Sequence, residues 1–251
     1  MTGVQTCALP ISKRCVQILA AYRTHCAVAS QSGQLILPES YKLFPLYVLC
    51  VLKSRAFRGG KLVSSDLRVY TMRLIQQMGV SESSSYLYPN LMSVGEYAPG
   101  IAELDSYGLV KVPPMMRVSA ERLHSTGIYL AGNCLLTLEN GRHLFLWVGK
   151  DVLQSTLLTL FNVPSLAQID SSAHSLVPSD SPHSIQLTNL IKYFVGYRAR
   201  YMQLTIVRQG FDQSNDARFL NLMIEDQNMD APSYVDFLCN VHRQIQSQIS
   251  T

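Results

Sequence analysis

Residues 139–152 read "ENGRHLFLWVGKDV", and the alternation inside them decides the fold. A chain of period two sends Leu144, Leu146 and Val148 to one face and Phe145 and Trp147 to the other. Both sets are apolar, so neither face suits water, and the strand needs helices on both sides. Trp147 is then a core residue rather than a ligand platform. Gly149 releases the chain into "DVLQSTLLTLF" at 151–161, a helical pattern.

Working outward, "GLVKVPP" (108–114), "GIYLAG" (127–132) and "MQLTIVRQG" (202–210) are short, β-branched or aromatic, and bounded by Gly or Pro, as strands are. A helical pattern runs from about Ser184 to Tyr201. In the terminal "SYVDFLCNVHRQIQSQI" (233–249), Tyr234, Phe237, Leu238, Val241 and Ile245 form a stripe expected to dock on the sheet. The loop "IDSSAHSLVPSDSPHS" (169–184) is rich in Ser, Asp and Pro and is expected to be the mobile segment.

Toward the start the period changes to that of helices. "SKRCVQILAAYRTHCAVAS" (12–30) groups Val16, Leu19, Ala20 and Tyr22 to Ala27 on one side. "YKLFPLYVLCVLKSRAF" (41–57) is strongly apolar and ends at Gly59-Gly60. Asp66 is the expected cap of "LRVYTMRLIQQMG" (67–79), with Leu67, Tyr70, Leu74 and Met78 as its stripe and Gly79 as its end. The expected fold class is therefore α+β. A helical bundle over 12–103 is followed by a mixed sheet flanked by helices over 104–251. Residues 1–11, "MTGVQTCALPI", show no apolar period and contain Pro10; they resemble a translated sequencing adapter and are expected to be disordered.

Composition narrows the function. Of 251 residues, 47% are hydrophobic and 15% charged, enough for a sizeable core, and the net charge of +4 is mild. No basic run with interleaved aromatics points to nucleic acid. The longest apolar stretch, 43–52, is half of the roughly 20 residues that cross a bilayer and contains Pro45. Beyond Cys7, Cys15, Cys26, Cys50, Cys134 and Cys239 form an odd set without Cys-x-x-Cys spacing. They are expected on buried faces, in neither disulfides nor a zinc site, which fits the cytosol.

Catalytic signals are missing. No Gly-x-Ser-x-Gly elbow occurs, and His174 and His183 lie in the polar loop, where solvated histidines are expected. Gly59-Gly60-Lys61 lacks the Gly before and the hydroxyl after that would make a phosphate loop. "IEDQNMD" (224–230) gathers Glu225, Asp226 and Asp230 without the ligand spacing of an EF-hand, and reads as a solvated turn. No catalytic, cofactor or metal residue is expected.

Two groups of words carry a resemblance. "LAAYRTHCA", "GQLILPESYKLFPLYVLCVLKS" and "RGG" resemble the helical domain of the cargo-adaptor subunit of the COPII coat, the Sec-twenty-four family. "LVKVPP", "SAERLHSTGIYL", "ENGRHLFLWVGKDV", "LFNVPSL", "VRQG" and "SYVDFLCNVHRQIQ" are similar, in the same order, to that family's gelsolin-like domain. The resemblance implies a non-enzymatic component of the inner coat, acting in transport from endoplasmic reticulum to Golgi. Its implied partners are the sister coat subunit, a Sar-type GTPase and cargo receptors. Its implied location is cytoplasmic and peripheral, at endoplasmic-reticulum exit sites. The family's zinc finger, trunk and β-barrel do not occur in this sequence, so the chain reads as a fragment with no zinc cofactor. "AGNCLLT" (131–137) stands between words that the family nearly joins, and reads as an insertion.

Two other readings stand beside it. One is the sister subunit, which accelerates GTP hydrolysis by inserting an arginine. The other is a calcium-dependent actin binder, although Asn140 stands where that turn usually carries a ligand Asp. The candidate contact residues are Arg198, Arg200 and Arg208, which bracket "YMQLTIV" (201–207). They are expected to form one basic patch for carboxylates or phosphates of a coat partner or anionic membrane, or else a solvated rim.

Overall fold

The computed structural model describes residues 3–27, 34–58, 63–94, 134–198, 200–228 and 231–250, with side chains from residue 9 onward. In chain order the elements are α1 (Gly3–Cys26), α2 (Phe44–Lys53), α3 (Ser65–Gln77), α4 (Val80–Leu87), β1 (Asn90–Ser93), β2 (Leu135–Glu139), β3 (Leu144–Val148), α5 (Gln154–Phe161), α6 (Pro182–Tyr197), β4 (Leu204–Arg208), α7 (Gln213–Leu220) and α8 (Tyr234–Ile249). They fall into two units. One combines Met1–Leu87 with Ile224–Thr251, and the other, Tyr88–Met223, is inserted between those two pieces of chain.

The helical unit is organised by α1. Its buried residues Cys15, Val16, Leu19 and Ala20 meet Val48 and Leu49 of α2 and Phe237, Val241 and Ile245 of α8. The terminal stripe therefore docks on α1 and α2, not on the sheet. Helical spacing shows that a face is buried but not what buries it. Ser233 caps α8, its Oγ accepting from the Asp236 backbone N–H at 3.1 Å. A second correction concerns the leading residues. The helix begins at Gly3 and runs through Pro10, at the loss of one backbone hydrogen bond, and Ile11 packs on the α1–α2–α8 core. The expected disorder over 1–11 does not describe Gly3–Ile11.

Lys53, the last residue of α2, is buried, and its ammonium donates to the carbonyls of Ile224 at 2.7 Å and Asp226 at 2.6 Å. Desolvation, helped by the nearby Arg58 charge, pushes its pKa down to about 8. The acidic stretch read as a solvated turn instead supplies carbonyls to a buried amine, and burial raises the Asp226 pKa. Elsewhere α3 is capped by Ser64, whose Oγ accepts from the Leu67 N–H, and not by Asp66. Of its expected stripe only Leu74 is buried; Tyr70 is exposed and Thr71 takes the inner position. The thiols divide as well. Cys15 and Cys50 are buried and Cys134 half-buried, while Cys26 and Cys239 are exposed, and all five are free.

The inserted unit is built on a four-stranded sheet of order β1-β2-β3-β4, antiparallel except for the parallel β3–β4 pair. Its two faces are as the alternation demands. Leu144, Leu146 and Val148 join residues of α5 and α6, including Leu157, Leu160, Leu187 and Leu190. Phe145 and Trp147 join Phe219 of α7 and Met223 on the other side. Trp147 stacks on Phe219 with centroids 5.9 Å apart, and its indole N–H donates to Asp216 Oδ1 at 3.0 Å. β1 lies where helix was expected. Residues 135–137, read as part of an insertion, belong to β2, with Leu135 opposite Val148 and Leu136 opposite Trp147. The expected strands at 108–114 and 127–132 lie outside the described residues.

Two outcomes follow from the helical unit. Phe237→Ala should cost about 3–5 kcal/mol in urea unfolding, and hydrogen exchange should show α1 losing protection while β2 and β3 keep theirs. Loss of protection in the sheet instead would place α8 elsewhere. For Lys53, the unfolded chain holds a proton between pH 8 and 10.5 that the folded protein has given up, so this residue's contribution to stability rises with pH across that window. The stability difference between the parent and Lys53→Met should therefore move in the parent's favour from about pH 8 to 10.5; a flat difference would mean the amine is not desolvated.

Candidate partner surface

The three candidate arginines acquire different roles from the strands that hold them. β2 ends in Glu139, which the pleat turns fully inside. A buried carboxylate needs a countercharge and a donor for each lone pair. Arg198, immediately after α6, supplies both: Nε donates to Oε1 and a terminal nitrogen to Oε2, each at 2.9 Å. Asn90 Nδ2 of β1 donates to Oε2 at 2.9 Å, and the Gly141 backbone N–H donates to Oε1. Gly141 has φ of +77°, which lets the turn fold back on the carboxylate. The bond to Glu139 raises the Arg198 pKa, holding the guanidinium charged. Asn140 closes the same turn, its Oδ1 accepting from the N–H groups of Arg142 at 3.1 Å and His143 at 2.8 Å.

Arg208, the last residue of β4, is committed to a different carboxylate. It pairs bidentately with Asp212, at 2.9 Å through Nε and 2.7 Å through a terminal nitrogen. Its other terminal nitrogen donates to the carbonyls of Ala167 at 3.2 Å and Ile169 at 3.0 Å. The Arg208 bonds lower the Asp212 pKa. Register separates the two pairs: Glu139 lies opposite Leu144 and Leu144 beside Leu204, whereas Arg208 lies beside Val148 at the far end of the sheet. That is about 13 Å of strand. The three arginines therefore make no single patch. Arg198 and Arg208 spend their guanidinium groups inside the unit, and Arg200 alone of the three is exposed.

What the pairs hold up is aromatic. The Arg198 guanidinium lies 5.6 Å from the ring centroid of Tyr197, and that of Arg208 5.6 Å from the ring of Phe211. Both rings are exposed, as is Tyr201. Sequence reasoning missed these rings together with Glu139 and Asp212. The spacing of four between Arg208 and Asp212 was a usable signal, whereas nothing local joins Glu139 to Arg198. The two loop histidines are not simply solvated: His174 Nδ1 lies 3.1 Å from the Leu204 carbonyl and His183 Nε2 2.7 Å from that of Val94. Among the described residues no group of three His, Cys, Asp or Glu side chains is placed to hold a metal ion, and no helix is long and apolar enough to cross a membrane.

Comparison with known proteins adds an independent line. Residues 2–85 match the Sec23/Sec24 helical domain and residues 110–181 the gelsolin repeat. The chain is 40% identical over 238 residues to the human protein transport protein Sec24C, covering 94% of this chain and 20% of that protein. It is 33% identical over 248 residues to the Arabidopsis thaliana protein transport protein SEC24 C, covering 97% and 21%. The crystal structure of the human COPII-coat protein Sec24c superposes with a TM-score of 0.81 at 36% identity, covering 98% of this chain and 30% of that one. The chain thus spans about a fifth of the length of these curated relatives.

The buried pair makes a sharp prediction. Arg198→Met alone strands the Glu139 charge and should cost about 3–5 kcal/mol, while adding Glu139→Leu should recover most of it. Urea unfolding of the single and double variants checks this; a double variant no more stable than the single would mean that the pair's value is not electrostatic.

Proposed function

We propose that this chain, which matches a Sec23/Sec24 helical domain and a gelsolin repeat and is 40% identical to human Sec24C over 238 residues, serves as the carboxy-terminal part of a COPII cargo adaptor. In this reading it acts in vesicle transport from endoplasmic reticulum to Golgi and catalyses nothing. It works on the cytoplasmic face of the endoplasmic reticulum with a sister coat subunit, a Sar-type GTPase and cargo receptors. The observation that carries the reading is the 36% identity and TM-score of 0.81 over 98% of the chain against a COPII-coat protein.

Charge supports the peripheral membrane part of this reading. The helical unit holds eleven Lys and Arg against seven Asp and Glu, a surplus of four, while the inserted unit holds ten of each. The whole net charge of +4 thus belongs to the helical unit, which favours an anionic lipid or acidic protein neighbour. The actin-binding reading gains nothing from the turn at Glu139, because Arg198, Asn90 and Gly141 already satisfy that carboxylate.

A chimera tests the proposal. Human Sec24C carrying this chain in place of its own matching region should enter the coat and package cargo in a budding reaction with endoplasmic-reticulum microsomes. A folded chimera left out of the coat would overturn it. In the same reaction the isolated chain should leave the rate of GTP hydrolysis by the Sar-type GTPase unchanged; acceleration would favour the activator reading.

A further inference from the structure

The segment from Ser181 to Phe211 contains Lys192, Arg198, Arg200 and Arg208 and neither Asp nor Glu. At the end of α6 this acid-free stretch displays two large rings: Tyr197 is 68% exposed and Tyr201 78%. Tyr197 is nevertheless held in place. It stacks on Tyr193 with centroids 5.5 Å apart and planes 16° apart, and the Arg198 guanidinium lies 5.6 Å from its centroid. Arg198 is itself fixed by two bonds of 2.9 Å to the buried Glu139. An exposed ring on so rigid a support has little freedom left to lose on binding, which is the property of an interface anchor. Tyrosine and arginine are also the residues that dominate binding energy at interfaces.

We propose that the end of α6 and the turn after it, formed by Tyr193, Tyr197, Arg200 and Tyr201 with Lys192, is a docking surface for an acidic peptide segment of a partner protein. The rings take the apolar groups of the peptide, and the exposed Arg200 and Lys192 take its carboxylates. Charge complementarity sets the sign of the partner. The number of cations sets its class: lipid-binding surfaces gather roughly four to eight basic residues, whereas Arg198 is consumed internally and, among the described residues of this stretch, only Lys192 and Arg200 stand exposed. The surface goes beyond the coat reading and does not rest on it.

The test uses the whole chain, isotopically labelled, and a synthetic peptide of Glu-Leu-Asp-Phe repeats. The controls are its Lys-substituted counterpart and phosphatidylserine vesicles. The acidic peptide should shift the amide signals of residues 193–201, with an affinity that weakens as salt is raised. Tyr197→Ala and Arg200→Ala should each weaken it about tenfold, and Tyr41→Ala, an exposed tyrosine of the helical unit, should not. Unchanged unfolding transitions establish that the variants are folded. Absence of shifts, shifts confined to other elements, equal affinity in the variants, or binding to the vesicles but not to the peptide would each overturn the proposal.

Discussion

A carboxylate shut away from water at the end of β2 constrains everything around it in the inserted unit. Leaving the Glu139 charge unpaired would cost several kcal/mol, so four elements are drawn to it: Asn90 from β1, Gly141 from the hairpin turn, Arg198 from the end of α6, and β2 itself. Each contribution fixes a residue type. The turn needs glycine because its φ is +77°. The Arg position needs a planar fork, since lysine offers no parallel pair of donors. Apolar burial sets which faces of the sheet are covered, and this pair sets how the helix that covers one face is tied to the strands at its end.

Much of the architecture was legible because a single period carried it. The five residues Leu144–Val148 contain only apolar side chains on both pleats, and that alone required two layers, now seen as α5 and α6 on one side and α7 on the other. Legibility ends where long-range pairing begins. The stripe of α8 announced burial but not its partner, because Val16 and Leu19 would accept Val241 as readily as a sheet would. The short β1 was invisible for a different reason: "NLMS" at 90–93 has no alternation of its own, and becomes a strand by pairing with β2.

The arginines show why charge is the hardest thing to read from sequence. Arg198, Arg200 and Arg208 look equivalent as letters, each near an end of an apolar strand. In the structure two are nearly hidden, with side chains 15% and 16% exposed, because a buried Glu139 and the nearby Asp212 claim them. Carboxylate partners that lie 59 residues away, as Glu139 does from Arg198, leave no local signature. Counting cations along a sequence therefore overstates the charge available to a partner, and it hides the aromatic surfaces that such arginines support.

The order of elements in the chain adds a constraint of its own. The helical unit is complete only when α8 reaches α1, and the sheet unit lies between them in sequence. If that intervening chain were flexible, closing it would cost entropy that grows only slowly with length, as the logarithm of the number of residues. Lys53 acts at the junction where this matters, its ammonium gripping the carbonyls of Ile224 and Asp226 as the chain re-enters the helical unit on its way to α8.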